Sequence, residues 1–319
     1  MVQIAGLSEK VLLPFAIDRI LDNTTTDFDL FINVSEHMVL YGANGYYWGR
    51  DELEGLLRNG HTHLLVRRED QSKVKMYEAV SHLPIINRDL APPDRIVRIE
   101  QVAALFVRCL HEGELTPSAL EKAKSISDAL VECIAEDRHC IRALSGLQDH
   151  DQYTYFHSVR VASYAVAIAM QMGLSDRDQV ADIAVGGIFH DIGKKTVSTA
   201  ILNKTGALTE SEWRVMRYHP ESGYLTLRSS ILKHVPLEII LHHHEKLDGS
   251  GYPHNLDRNS IITEVQIAGL ADVFDALTSS RAYQQKRSRY EALDLMKHRM
   301  LGPKLSVEVF QGLVACLAG

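Results

Sequence analysis

Cysteine is scarce in this chain. Only Cys109, Cys133, Cys140 and Cys316 occur, and none sits in C-x-x-C spacing. That argues against a cysteine–zinc site and a disulfide framework, and leaves four free thiols acting as small buried hydrophobes. Long apolar runs are also missing. A membrane-spanning helix needs roughly 18 or more apolar residues in a row, and the nearest candidate, Val159 to Leu174, is broken by Arg160, Ser163 and Gln171. The opening MVQIAGLSEK has no basic stretch leading into an apolar core, so no signal peptide is expected and a cytoplasmic location is. Positive charge is not in excess: 34 Lys and Arg against 41 Asp and Glu leave a net charge of -7. No global basic field therefore draws a nucleic acid polymer. With 45% apolar and 24% charged residues over 319 positions, a disordered or collagen-like chain is excluded too. What the chain has in quantity is histidine, 16 residues.

The length accommodates two domains. Residues 1–95 read as a small α/β module. Asp29 to Val34 and His37 to Gly42 are short β-rich runs, Asp51 to Leu57 has the spacing of a short helix, and HTHLLVRRED runs as a strand into a charged turn. His61 and His63 fall at strand spacing, as a half-exposed strand face does. Asn87 to Asp94 (NRDLAPPD) collects turn formers and marks a linker. Residues 96–148 are a helical connector, with Thr116-Pro117 as a helix start. Residues 149–319 carry helical periodicity throughout. The fold class expected is α+β overall: a small α/β N-terminal module followed by an all-α helical bundle.

The strongest chemical signal is Ile188 to Lys195 (IFHDIGKK). It ends an apolar helix, with Gly193 as the expected C-cap. Adjacent His190 and Asp191 offer an imidazole nitrogen and a carboxylate whose two oxygens can bridge two ions. A lone histidine on an apolar helix is usually a satisfied core residue. Here, however, His157 lies upstream, and His219, the run His242-His243-His244-Glu245 and Asp272 follow. Imidazole and carboxylate donors without thiolate favour iron, manganese or zinc over a cysteine–zinc site. Lys246 to Pro253 (KLDGSGYP) forms a tight loop directly after the triple histidine. Thr278 to Tyr283 brings Arg281, a residue type suited to bidentate phosphate recognition.

Four motifs in order, HDIGK (His190 to Lys194), ILNKTGALTESEW with the later His219, HHEKLDGSGYP (His243 to Pro253) and ADVFDALTSSRAY (Ala271 to Tyr283), closely resemble the HD-GYP family. This is a subgroup of the HD metal-dependent phosphohydrolases, and the resemblance runs from about Tyr153 to Leu295. It implies that the bundle is of HD type. It also implies hydrolysis of cyclic di-GMP, a bacterial second messenger, to linear pGpG and further to GMP by a water bridging a binuclear centre. The two divalent ions implied are iron first, with manganese as the other choice. By position, His157, His190, Asp191 and Asp272 would bind one ion. Asp191 would bridge to a second, completed by His219, His243 and His244. Lys194 falls near the scissile phosphate, and Arg281, Tyr252 and Gly251 fall at substrate contacts. Glu245 lies outside the ligand set, with support of the ligands as its role. The GYP loop is implied as a docking surface for GGDEF-type or other signalling proteins, and a homodimer is compatible with the family.

The chain departs from the family pattern at Tyr153, where a glutamate is usual, at Gln284, where a basic residue is common, and at Pro303 to Ser306, in place of FDP. Tyr153 stands one helical turn before His157, so the expectation is two ions and not three, with the phenol ring closing off a third position. The competing reading is a degenerate HD-GYP protein that binds metal and cyclic dinucleotide and signals through partners. Another cyclic dinucleotide as substrate also stays open.

Overall fold

The computed structural model describes residues 2–3, 11–20, 24–34, 37–81, 88–112, 115, 117–144, 153–279 and 287–318. The chain divides into two compact units, Met1–Pro84 with Arg108–Ser118, and Ile85–Val107 with Ala119–Gly319.

The first unit contains strands β1 (Val2–Gln3), β2 (Leu12–Ala16), β3 (Thr24–Thr25), β4 (Leu30–Val34), β5 (His37–Gly42) and β6 (Tyr47–Trp48), helix α1 (Arg50–Arg58), strand β7 (His63–Arg67) and helix α2 (Gln71–Ser81). Five strands form an antiparallel sheet in the order β1-β5-β4-β7-β2, and β3 pairs with β6. The strands expected at Asp29–Val34 and His37–Gly42 and the helix at Asp51–Leu57 are present within one residue of those bounds. The sequence reading did not anticipate β2, because Pro14 interrupts its apolar run. Its edge position resolves this, since an edge strand tolerates a missing backbone N–H. Phe15, Phe28 and Tyr77 meet edge-to-face in the core, with centroids 5.6–6.3 Å apart. His63 is exposed on β7, as expected of a half-solvated face.

Helices α3 (Pro92–Glu112) and α4 (Pro117–Glu136) each begin on a proline, which suits the first helical turn. The turn before α3 is shorter than the expected linker, because Pro92 starts the helix. The bundle follows as α5 (Tyr153–Gln171), α6 (Arg177–Phe189), α7 (Thr199–Leu202), α8 (Glu210–Arg217), α9 (His219–Leu227), α10 (His234–His242), α11 (Thr263–Thr278), α12 (Arg289–Arg299) and α13 (Val307–Leu317). Every residue of α5 from His157 to Ala169 is buried. This helix is buried on every face and central, packing on α6, α11 and α13. Asp176 caps α6 through the Asp178 and Gln179 amides, and Thr209 with Glu212 forms a capping box on α8. Ser306, in the segment that departs from FDP, caps α13 through Val309 N. Beyond residue 153 the described residues hold no strand, only isolated bridges at Asp248–Asp257 and Leu301–Leu305. No helix among them is long and apolar enough to cross a membrane.

One expectation is corrected here. Helix α6 ends at Phe189 with His190 as its cap, and Gly193 lies inside a 3-10 helix over Ile192–Thr196. A Cβ at Gly193 would overlap the His219 carbonyl oxygen and crowd Gly223 N at 2.6 Å. Glycine is there for close approach to α9, and so for placing Asp191 beside His219.

Candidate metal centre

Five helices deliver the site. The first turns of α5 supply His157, the two residues after α6 His190 and Asp191, the start of α9 His219, the two residues after α10 His243 and His244, and the middle of α11 Asp272. All seven sequence-derived candidates meet around one carboxylate. Asp191 Oδ1 lies 3.2 Å from His219 Nε2 and 3.9 Å from His243 Nε2. Its Oδ2 lies 3.3 Å from His190 Nε2 and 3.8 Å from His157 Nε2. Asp272 closes the ring, with Oδ1 3.1 Å from His157 Nε2 and Oδ2 3.6 Å from His244 Nδ1. Two donor groups result, His157–His190–Asp191 and Asp191–His219–His243–His244, with Asp191 in both.

The outward nitrogens of these rings are already committed. Nδ1 of His190 donates to Gly187 O (2.7 Å), that of His219 to Met216 O (2.8 Å), and that of His243 to the Ile239 and Ile240 carbonyls (3.1 Å each). A carbonyl can only accept, so each neutral ring carries its proton on Nδ1 and turns an Nε2 lone pair inward. Lone pairs then face lone pairs: His219 Nε2 is 3.3 Å from His243 Nε2. His190 Nε2 and Asp191 Oδ1 are buried without a hydrogen-bond partner. Such a convergence of acceptors is costly unless protons or a cation lie among them. Burial, then the neighbouring imidazoles His190 and His219, hold His243 well below the ordinary histidine value, and burial with His243 does the same to His244. Both stay in the neutral, ligating form. Burial lowers His190 too, but Asp191 and Asp272 overcome it and raise the ring. Burial raises the Asp191 carboxyl, and His190 with Lys194 overcomes that and holds it well below its usual range. The donor set therefore fits divalent cations bound through nitrogen and oxygen.

A residue that sequence reasoning missed completes the site. Asp275, one turn after Asp272 on α11, accepts from His157 Nδ1 at 2.7 Å, which orients that ring toward Asp272 and Asp191. Asp275 is itself bound by Arg160 Nε at 2.6 Å, and Arg160 reaches Glu100 (3.2 Å) and Ser279 (3.1 Å). Burial pushes the Asp275 carboxyl up, and Arg160 with His157 outweighs it, so it remains a carboxylate. The available signal was spacing: Asp275 follows Asp272 by three, and Arg160 follows His157 by three, each pair on one helix face.

Of the residues expected at substrate, Lys194 places Nζ 2.6 Å from Asp191 Oδ2 and remains partly exposed. Tyr252 leans against the His244 ring, with centroids 4.7 Å apart and the planes tilted by 33°. Gly251 is buried, and a Cβ there would overlap the Glu245–Lys246 backbone. Arg281 and Gln284 lie outside the described residues, as does the side chain of Tyr153, which opens α5. Glu245 differs from its expected role. Its carboxylate accepts from the His254 (2.7 Å) and Leu256 (3.0 Å) amides, so it builds the loop bearing Tyr252 and touches no donor histidine.

A family model described as an HD domain matches residues 144–304. The cyclic di-GMP phosphodiesterase PA4108 of Pseudomonas aeruginosa is 35% identical over 175 residues, which cover 54% of this chain and 42% of that protein. The 3'3'-cGAMP-specific phosphodiesterase 1 of Vibrio cholerae is 37% identical over 163 residues, covering 51% and 38%. The cyclic di-GMP phosphodiesterase response regulator RpfG of Xanthomonas campestris pv. campestris is 31% identical over 226 residues, covering 68% and 60%. The chain thus spans less than two thirds of the length of these relatives. Among solved structures, an HDG"Y"P protein from Bdellovibrio bacteriovorus shares the fold, with a TM-score of 0.63 at 16% identity over 97% of this chain and 100% of that one.

Proposed function

The chain belongs to the HD domain family, and on that premise we propose that it is a metal-dependent phosphodiesterase hydrolysing cyclic di-GMP to pGpG and further to GMP. The observation that carries this reading is the shared carboxylate: Asp191 stands in both donor groups, with imidazole lone pairs aimed at each of its oxygens. His157, His190, Asp191 and Asp272 would hold one divalent ion, and Asp191, His219, His243 and His244 a second. When bound, two such ions supply activation of a water and neutralisation of charge on the phosphate. Iron, or manganese in its place, suits a donor set of nitrogen and oxygen without thiolate.

The chain's own residues divide the remaining work. Asp275 fixes the His157 ring, and four backbone carbonyls fix His190, His219 and His243, so the donors need little reorganisation. Lys194 stands at the mouth of the cluster, where an ammonium offsets charge developing on a phosphoryl group. Tyr252 walls the site, and Arg281 and Gly251 complete the proposed substrate contacts. No serine or cysteine nucleophile is required. On the same reading, residues 149–319 form the catalytic domain, 96–148 the connector and 1–95 a regulatory module. The protein acts in the cytoplasm, and the GYP loop offers a docking surface for GGDEF-type or other signalling partners.

The test is metal analysis of the purified chain, followed by incubation with cyclic di-GMP and 3'3'-cGAMP under reducing conditions. Two ions with cleavage of cyclic di-GMP support the reading. Two ions with dinucleotide bound but uncleaved favour the degenerate, partner-signalling protein. Cleavage of 3'3'-cGAMP alone moves the substrate assignment, and a chain that takes up no metal overturns the reading.

A further inference from the structure

The wall beside Tyr252 holds an arginine to which none of the sequence motifs points. Arg217, the last residue of α8, sets its guanidinium carbon 5.8 Å from the Tyr252 ring centroid and 5.8 Å from that of Trp213. Trp213 and Arg217 are four apart on α8 and so share a face. Tyr252 in turn lies against the ring of His244, one of the donor histidines, at a tilt of 33°. A layered row therefore leads outward from the cluster: imidazole, phenol, guanidinium, indole.

The outer members of the row are built for contact. Trp213 is 46% exposed and Arg217 is exposed. Among the described residues no carboxylate pairs with Arg217, and the nearby Glu212 is occupied by Lys204 and the Thr209 cap. A guanidinium set over aromatic faces keeps the edge of its planar donor fork available. Two coplanar acceptors suit that fork. Guanine presents O6 and N7 in that arrangement, whereas adenine places an N6 donor beside N7 and cannot accept both bonds. The exposed indole offers stacking to any base.

We propose that Arg217 reads the O6/N7 edge of a guanine in the cyclic dinucleotide while Trp213 stacks a base, so that this row sets selectivity for guanine over adenine. The inference rests on the phosphodiesterase reading above and adds a specificity-determining residue to it.

The experiment measures dissociation constants of cyclic di-GMP and cyclic di-AMP for the metal-loaded full chain by calorimetry, with metal content determined for every variant. Wild type should prefer cyclic di-GMP. Arg217→Ala should weaken cyclic di-GMP about tenfold, the loss of one bidentate base contact, and leave cyclic di-AMP within about twofold. Arg217→Lys should not restore the preference, since a point charge has no fork. Trp213→Ala should weaken both ligands alike, by about fivefold or more. Equal weakening of both ligands in Arg217→Ala, as a phosphate contact gives, would overturn the proposal. So would an unchanged ratio, or loss of metal in that variant, which makes the row structural. Wild type that binds neither dinucleotide refutes the phosphodiesterase reading itself. Wild type that binds with a preference Arg217→Ala does not alter refutes this inference alone.

Discussion

Asp191 is the residue on which both donor groups depend. Replacing it with Ala removes a ligand from two positions at once, whereas replacing one histidine removes a ligand from one. Asp191→Ala should therefore lower metal content, measured by plasma mass spectrometry, more than any single histidine-to-alanine change; equal content in variant and wild type would end the bridging assignment. Lys194 contacts Asp191, and in the proposed function it faces the phosphate, so Lys194→Ala should cut turnover by about 10- to 100-fold with metal retained. A fall in metal that tracks the fall in rate would count against that division. Asp275→Asn tests the oriented histidine: it keeps shape, removes the anionic partner of His157, and should weaken metal binding by about 10-fold or more, read by competition with a chelating dye. Unchanged affinity would make Asp275 merely structural. Legibility at this scale follows chemistry. His190 and Asp191 stand out because a dipeptide motif advertises them. Asp275 did not, because its partners Arg160 and His157 are more than 100 residues away, and nothing local marks it as more than a helix-face acid.

At the scale of elements, the site exists because helices stop where their ends can meet. Gly193 shows how tight this is, since the 3-10 helix over Ile192–Thr196 lies against α9 with no room for a side chain. Gly193→Ala should push that helix off α9 and destabilise the domain by about 2 kcal/mol or more. Its urea midpoint should fall with the slope unchanged, and metal content should fall with it; an unaltered midpoint would show that the contact yields freely. The reading of Gly193 as a C-cap failed for a physical reason. A helix-ending glycine and a close-approach glycine look the same in one dimension, and only the position of α9 tells them apart. The strands β4 and β5 and the helix α1 were legible from apolar spacing. Strand β2 was not, because the tolerance of Pro14 depends on its place at the sheet edge. Glu245 was misread likewise: its adjacency to the histidine run suggested support of ligands, but its carboxylate turns to the loop amides.

For the molecule as a whole, the absence of an excess basic charge and of cysteine spacing narrowed the chemistry before any motif was considered, and the four ordered motifs pointed to a subgroup of the HD family, the wider family that the domain match bears out. The N-terminal sheet contributes nothing to that assignment, which rests on the bundle alone. The proposed function is hydrolysis of cyclic di-GMP by a chain whose residues would hold two divalent ions around Asp191. Its most direct measurement loads the full chain with ferrous iron or manganese under reducing conditions, counts ions per chain, and follows cyclic di-GMP on the same sample by chromatography. Two ions per chain with conversion to pGpG are expected. One ion or fewer, three ions, or two ions with cyclic di-GMP left intact would contradict it.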